Sequence, residues 1–174
     1  SSINTYTNAD FSGLYTQFIK ENTEKLFPVI KEIILIPSFP EVEIERRKQR
    51  WVAELDQEKE SPRSVISSYF NKHIFGDSAY GNPVDGTKSG ISNITVEGIQ
   101  EFYKTNYRPE SSAIAVVGDF NSAEMKKLII DYFGGWKNNS PKKLSDLRIV
   151  NTPFESPAVY LINKSNATET TFLI

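Results

Sequence analysis

The sequence predicts an α+β fold in which a mixed or antiparallel sheet carries its helices mainly on one face. Two observations predict this fold. Strand-like segments stand near both ends of the chain, and between them lie segments whose apolar residues follow helical spacing, interrupted by one continuous apolar run near residue 115. The 174 residues, of which 39% are hydrophobic and 12% aromatic, suffice for one domain with a core, or for one domain and a piece of another.

The first element is a predicted pair of strands over residues 3–19. Leu14, Thr16 and Phe18 alternate with residues that point the other way, and the turn residues 8–10 (Asn-Ala-Asp) separate the two strands. This alternation is typical of a sheet with one buried face.

Five helices follow, predicted from apolar residues three or four positions apart and from capping residues. Their start signals, in chain order, are Asn22 or Thr23, Pro40, Ser61 followed by Pro62, Thr95, and Asn121 or Ser122. Their apolar faces comprise Leu26, Ile30, Ile33 and Ile34; Ile44, Trp51, Val52 and Leu55; Val65, Ile66, Tyr69, Phe70 and Ile74; Val96, Ile99, Phe102 and Tyr103; and Met125, Leu128, Ile129, Tyr132 and Phe133. Glu43 and Arg47 lie one turn apart and are predicted to pair.

The remaining segments are predicted to be loops and strands. Residues 77–93 are rich in Gly, Ser, Asn and Asp and predict a loop, whereas the apolar run 114–117 predicts a strand buried on both faces. A polar stretch over 137–157 predicts a linker or long loop, and residues 159–162 and 170–174 are strand-like. We therefore expect a first domain over 1–136 and the first strands of a following half over 158–174.

Composition excludes several classes of function. Twenty basic and 22 acidic residues give a net charge of −2, which provides no field for gathering nucleic acid or anionic lipid, so neither is an expected partner. Without cysteine, the chain has neither disulfides nor thiolate metal sites. No apolar run approaches the roughly 20 residues of a membrane span. The compartment stays open between cytoplasm and periplasm.

Five short segments follow one another along the chain: Ser2-Ile3-Asn4-Thr5-Tyr6-Thr7, Ile36-Pro37-Ser38-Phe39, the stretch from Pro40 through Glu54 and Ser61-Pro62 to Asp85-Gly86-Thr87, Tyr107-Arg108-Pro109, and Ala115-Val116-Val117-Gly118-Asp119. In this order they resemble the insulinase/pitrilysin zinc metallopeptidases, the group that includes the mitochondrial processing peptidases. Together they cover nearly the whole chain. The resemblance implies a metallopeptidase half-domain, with residues 1–136 as the later part of the N-terminal domain.

The same resemblance implies where a metal would lie. In this family an H-x-x-E-H motif on an upstream helix supplies two imidazoles and a general base, and a later helix supplies a carboxylate ligand. Glu54 matches that third ligand, and the motif itself would precede Ser1. The alternative is that Glu54 is a solvated helix residue paired with Arg50 or a neighbouring charge. We expect zinc in the full-length parent and none bound to this chain alone.

Two further residues bear on the site. His73 is the only histidine, lies on a different predicted helix and matches no family ligand, so it is predicted to be an ordinary helical side chain. Arg47 stands two turns before Glu54, where active relatives commonly carry another glutamate. That departure leaves open whether the parent is catalytic.

The expected function is that of part of a zinc metalloendopeptidase, inactive by itself, with no catalytic residue in this chain and substrate-binding residues unassigned. Its expected partners are a peptide or protein substrate and a second peptidase-like half or subunit, and open strand edges favour self-association. The alternative is a non-catalytic subunit or paralogue that assembles with an active partner. A stand-alone binding module is a third possibility, disfavoured because the chain ends inside a predicted strand.

Overall fold

The computed structural model describes residues 2–138, 159–163 and 170–173. The described helices and strands are β1 (Ser2–Thr7), β2 (Ser12–Gln17), α1 (Thr23–Leu35), α2 (Glu41–Glu58), α3 (Pro62–Phe75), α4 (Lys88–Ser92), α5 (Val96–Asn106) and α6 (Ser122–Phe133). Short 3-10 turns occur at Lys20–Asn22, Ala79–Gly81 and Pro109–Ser111. This helix-rich arrangement with a small antiparallel sheet confirms the α+β prediction.

The sheet seen in these residues is the predicted hairpin of β1 and β2. Its turn forms because the Asn8 side-chain oxygen accepts hydrogen bonds from the backbone N–H groups of Asp10 (2.8 Å) and Phe11 (2.9 Å). The backbone N–H of Asn8 also donates to Phe11 O at 3.0 Å. These hydrogen bonds to the asparagine side chain take the place of strand-to-strand hydrogen bonds where the chain reverses direction.

The helix starts and stops largely follow the capping residues. Ser61 accepts a hydrogen bond from the Ser64 N–H at the start of α3, and Gly76, with a φ of 53°, ends that helix. Thr95 and Asn121 cap α5 and α6 in the same way. The predicted loop over 77–93 is more regular than expected, since it contains the Ala79–Gly81 turn and the short helix α4.

The described residues divide into two compact units, of which the first comprises 2–6, 12–41 and 95–138. Its interior is built by α1 and α6, where the rings of Phe27 and Tyr132 lie 5.7 Å apart and Phe133 is buried. The Tyr103 hydroxyl donates to Ile34 O at 2.5 Å, which ties α5 to the end of α1. Burial raises the pKa of the Tyr103 phenol above its ordinary value, and Tyr107 adds to the rise.

The second unit comprises 7–11 and 42–94, with 159–163 and 170–173. Here α3 packs against the turn at Ala79–Gly81, and Ile91 of α4 is buried. The turn approaches so closely that a Cβ on Gly81 would lie 2.1 Å from Gly76 O. Only glycine therefore fits at position 81.

The prediction of a doubly buried strand over 114–117 is wrong. Within the described residues this segment pairs with no strand, and Val117 is 97% exposed. Ile114 and Val116 instead line an open groove with Ile129 of α6. A continuous apolar run buries itself only when sheet neighbours lie on both sides, and the described residues supply none.

Several predicted core positions also need correction. Tyr69 and Phe102 are 60% and 61% exposed, although both fall on predicted apolar faces. Conversely, Phe27 and Ile91 are buried but were absent from the predicted core. The five predicted positions of α6 all turn inward, as expected.

The predicted linker and final strands lie mostly outside the described residues. The pieces 159–163 and 170–173 carry no strand pairing in the described part of the chain. The proposed domain boundaries therefore stay predictions. No helix within the described ranges is long and apolar enough to span a membrane.

Candidate functional site

The candidate site lies on α2, whose inner face fixes the position of the helix. Ile44, Trp51, Val52 and Leu55 are half-buried on one side of α2, as the spacing predicts. Lys48 lies on the same side with its side chain only 15% exposed, and its ammonium donates to Ile94 O at 2.9 Å and pairs with Glu45 at 2.8 Å. A cation in that position is tolerated because its stem packs while its head is hydrogen-bonded.

A second tie joins α2 to the start of α4. The Asp56 carboxylate pairs with Lys88 at 2.5 Å and with Lys59 at 3.8 Å. The hydrogen bond from Lys88 lowers the pKa of Asp56 below its ordinary value. The segment over 88–94 is thus fastened to α2 at two points.

Glu54 and Arg47 lie outside this half-buried face, on what we call the outward face of α2, and their side chains are 49% and 51% exposed. One guanidinium nitrogen of Arg47, Nη1, donates to both of its carboxylate oxygens, at 3.0 Å to Oε1 and 2.8 Å to Oε2. The guanidinium carbon lies 5.2 Å from the centre of the Trp51 ring, which stands between the two residues along the helix. Arg47 therefore extends along α2 over an aromatic platform and reaches Glu54 two turns away.

The ion pair of Arg47 and Glu54 contradicts one prediction made from the sequence and changes the partner in another. Arg47 was predicted to pair with Glu43, but the Glu43 carboxylate accepts from Arg46 instead. The alternative for Glu54, a charge paired with Arg50 or another neighbour, is close to the observed arrangement, although the partner is Arg47. Two turns is longer than the usual spacing of helical ion pairs, so a search at three or four residues misses it.

The only histidine lies away from this pair, on α3. His73 is half-buried, and its ring lies 4.0 Å from the ring of Tyr160. The two rings are tilted by 51°, and His73 is a half-buried helical side chain, in agreement with the sequence-based expectation. It brings no imidazole to Glu54.

The residues around Glu54 do not match the ligand set of a zinc ion. Zinc in proteins takes three or four ligands from His, Cys, Asp and Glu, held within about 2.3 Å. Across residues 2–138, 159–163 and 170–173, no group of three such side chains could hold a metal ion. Glu54 offers one carboxylate, and that carboxylate already accepts from Arg47. These residues do not form a zinc site by themselves.

Another polar contact links the hairpin turn to the turn at Ala79–Gly81. The Tyr80 hydroxyl donates to the Asp10 carboxylate at 2.5 Å, which raises the pKa of the Tyr80 phenol. The same loop contains Asp77, whose pKa is lowered by its hydrogen bond with Lys72 at 2.8 Å. These exposed contacts hold the loop and present no reactive group.

Comparison with known proteins gives these observations a context. Residues 93–173 match the family model described as the Peptidase M16 inactive domain. Glu54 lies before the matched residues.

Relatives extend the similarity over most of the chain. An uncharacterized zinc protease of Mycobacterium leprae is 23% identical over 155 residues, which is 87% of this chain and 35% of that protein. The mitochondrial-processing peptidase subunit beta of Dictyostelium discoideum is 25% identical over 142 residues, 82% of this chain and 30% of that protein. The chain thus spans about a third of the length of these relatives.

The fold agrees with the sequence. A protease from Helicobacter pylori superimposes on 85% of this chain and 36% of its own, with a TM-score of 0.78 and 22% identity. Such a likeness at low identity establishes a shared fold. Sequence and fold together confirm the predicted resemblance of this chain to the insulinase/pitrilysin-like zinc peptidases, the M16 family.

Proposed function

We propose that this chain forms part of a zinc metalloendopeptidase and contributes one ligand, Glu54, to its metal site. The chain does not hydrolyse peptides by itself. The observation that supports this proposal most directly is the position of Glu54, which is half-exposed on the outward face of α2. The other side of that helix is fastened through Lys48 and Asp56.

The relatives support this role and suggest its setting. They are named a zinc protease and a peptidase subunit, and each is more than twice as long as this chain. We therefore place the peptide substrate and the two remaining metal ligands in a larger molecule or assembly, where a second peptidase-like half or subunit completes the chamber. A peptide there would bind in extended form, by adding a strand to a sheet edge.

The test is Glu54→Gln in the full-length gene product. We expect zinc content, measured by elemental analysis, and peptidase activity on an unfolded peptide both to fall. The activity should fall by about 100-fold or more, because loss of a ligand should cost at least as much as the roughly 10- to 100-fold lost with an outer-shell partner. In the presence of a chelator the unfolding midpoint should stay the same, because Glu54 is half-exposed and bound zinc would otherwise stabilise only the wild type. Full zinc content and activity in the variant would refute the assignment of Glu54.

Glu58→Gln is the matched control, since Glu58 lies one turn further along the same helix. It should leave zinc content and activity unchanged. The 174-residue chain by itself should bind less than one zinc per molecule, and stoichiometric zinc that disappears in its Glu54→Gln variant would show that the site is complete here.

A second function is favoured by a specific contact. The Arg47 guanidinium already neutralises the Glu54 carboxylate, which suits a non-catalytic subunit that assembles with an active partner. An H-x-x-E-H sequence within about a hundred residues before Ser1 supports the enzyme, and its loss supports the subunit.

A further inference from the structure

We propose that the apolar run, Ile-Ala-Val-Val at 114–117, is the edge through which two copies of this chain pair, antiparallel and about a two-fold axis beside Ala115. The sequence predicts self-association through an open strand edge without naming the edge. This run supplies it. The pairing is independent of the role proposed for Glu54 and concerns the other compact unit of the chain.

The backbone of the apolar run is unpaired in the described residues. No hydrogen bond in that part of the chain joins one of its N–H or C=O groups to another group. Ile114 and Val116 line the groove beside α6, whereas the alternate residues Ala115 and Val117 do not. This period of two is that of an extended strand, and Ser112 just before the run has extended backbone angles, φ −117° and ψ 149°. The run therefore offers a strand edge.

Both faces of the apolar run are open to solvent. On the groove side Ile114 is 49% exposed, and on the opposite side Val117 is 97% exposed. Contiguous apolar surface of this kind favours an interaction partner. The partner strand must be apolar on both faces, since a polar side chain there would lose its water without gaining a hydrogen bond. The run itself meets this requirement, so a second copy fits.

The charge pattern around the apolar run admits a second copy of the same sequence. Residues 111–118 contain neither a charged residue nor a proline, the two devices with which edge strands commonly prevent pairing. The nearest charge along the sequence is Asp119, which pairs with Lys20 at 3.6 Å. In an antiparallel pair the Asp119 residues of the two copies lie at opposite ends, so they do not oppose the pairing.

The side-chain pattern also selects the register. Two-fold antiparallel pairing keeps Ile114 and Val116 of both copies on the same face, which requires that the numbers of opposite residues have an even sum. A pair centred on Ala115 sets Ile114 opposite Val116 of the second copy, and β-branched residues opposite each other stabilise a sheet. A pair centred on Val116 would set Ile114 opposite Gly118. Ala115 is therefore expected to lie opposite itself.

The size of this interface predicts a weak dimer. A ribbon four residues long buries well below the roughly 1,200 Å² of a stable complex, so we expect a reversible dimer with a Kd on the order of 100 µM. Sedimentation velocity of the 174-residue chain measures it, over concentrations from about tenfold below to about fivefold above this value. A chain that stays monomeric throughout would overturn the proposal and would mean that another segment covers the run.

Cysteine cross-linking tests the register, because the chain has no cysteine of its own. In Ala115→Cys the thiols lie on opposite residues, whose Cα atoms are about 4.5–5.5 Å apart and within reach of a disulfide. In Val117→Cys the two positions lie about 13 Å or more apart, four residues along the strand. We expect Ala115→Cys to form the covalent dimer about tenfold faster on a non-reducing gel. Val117 is almost fully exposed, so random collision would cross-link it at least as fast, and that result would overturn the proposal.

A charge swap tests the pairing in solution. Ala115→Lys and Ala115→Glu each place like charges opposite each other and should weaken the dimer by about tenfold or more, whereas an equal mixture of the two should pair at least as well as the wild type. Ala115 is exposed, so neither substitution should disturb the fold.

Val42→Lys is the matched control for added charge. Val42 is a 78% exposed valine on α2, and the variant should dimerise like the wild type. An unchanged Kd in Ala115→Lys, an equal loss in Val42→Lys, or a mixture that stays monomeric would each overturn the proposal.

Discussion

The interior of the first unit and the outward face of α2 are organised by different forces. Around Phe27, apolar side chains from α1 and α6 exclude water, and the one phenol that enters, that of Tyr103, donates to a backbone oxygen. On α2 the contacts of Arg47 and Glu54 are ionic and half-exposed. Burial makes the free energy contributed by the apolar contacts large, whereas solvent keeps the free energy contributed by the ion pair small.

The two regions therefore differ in how easily their side chains can move. A buried ring cannot move without opening a cavity, but a half-exposed guanidinium can leave its carboxylate at little cost. The interior of the first unit therefore sets where α1 and α6 lie, whereas the charged residues of α2 can exchange partners. Four measurements can break or sharpen the contrast.

The largest expected effect is that of Phe27→Ala. Phe27 is only 5% exposed and packs against Tyr132, so its removal should lower the free energy of unfolding by about 3 kcal/mol or more. Urea denaturation followed by circular dichroism measures this. The control is Phe102→Ala, where a 61% exposed ring is lost and the change should stay within about 0.5 kcal/mol. Similar losses in the free energy of unfolding for the two variants would mean that burial does not distinguish the two sites.

An intermediate effect is expected for Tyr103→Phe. The variant loses the hydrogen bond to Ile34 O and should be about 1 kcal/mol less stable at neutral pH. Tyr15→Phe removes a hydroxyl from a ring that is 57% exposed and should change stability by less than about 0.5 kcal/mol.

The pH dependence of Tyr103 has a definite sign. Its folded-state pKa lies above the ordinary value of about 10, so the neutral phenol is favoured by folding. This contribution is fully present below pH 10 and is lost as the pH rises through the folded-state pKa. Tyr103→Phe should therefore lose less stability than the wild type in alkaline urea titrations, and an equal loss would contradict the assigned cause.

The smallest effect is expected for the pair on α2. A double-mutant cycle of Arg47→Gln and Glu54→Gln should give a coupling free energy of about 0.5 kcal/mol. In roughly 1 M salt the coupling should shrink, because screening acts strongly on exposed charges. A coupling above about 2 kcal/mol that resists salt would mean that the charged face is as fixed as the interior.

Elements governed by local chemistry could be predicted from the sequence. Helix α3 begins after Ser61 and ends at Gly76 because one supplies a capping oxygen and the other a left-handed backbone angle. Both properties belong to single residues. The hairpin turn at Asn8 followed from the same kind of signal.

Elements that depend on distant neighbours could not be predicted. The run 114–117 has the composition of a buried strand, but its burial depends on strands that the described residues do not supply. The pairing of Glu54 was likewise undetermined, because Arg47 and Arg50 both lie within two turns. The Trp51 platform favours Arg47, and that preference appears only in three dimensions.

The hydrogen bond from Lys48 to Ile94 O has a kinetic consequence. It joins residues 46 positions apart, so α2 can form early from local contacts while its final placement waits for a long loop to close. Changes within residues 77–94 that slow this closure would delay the placement of Glu54 without touching it. The time at which the candidate site forms is thus set by a loop that carries none of its chemistry.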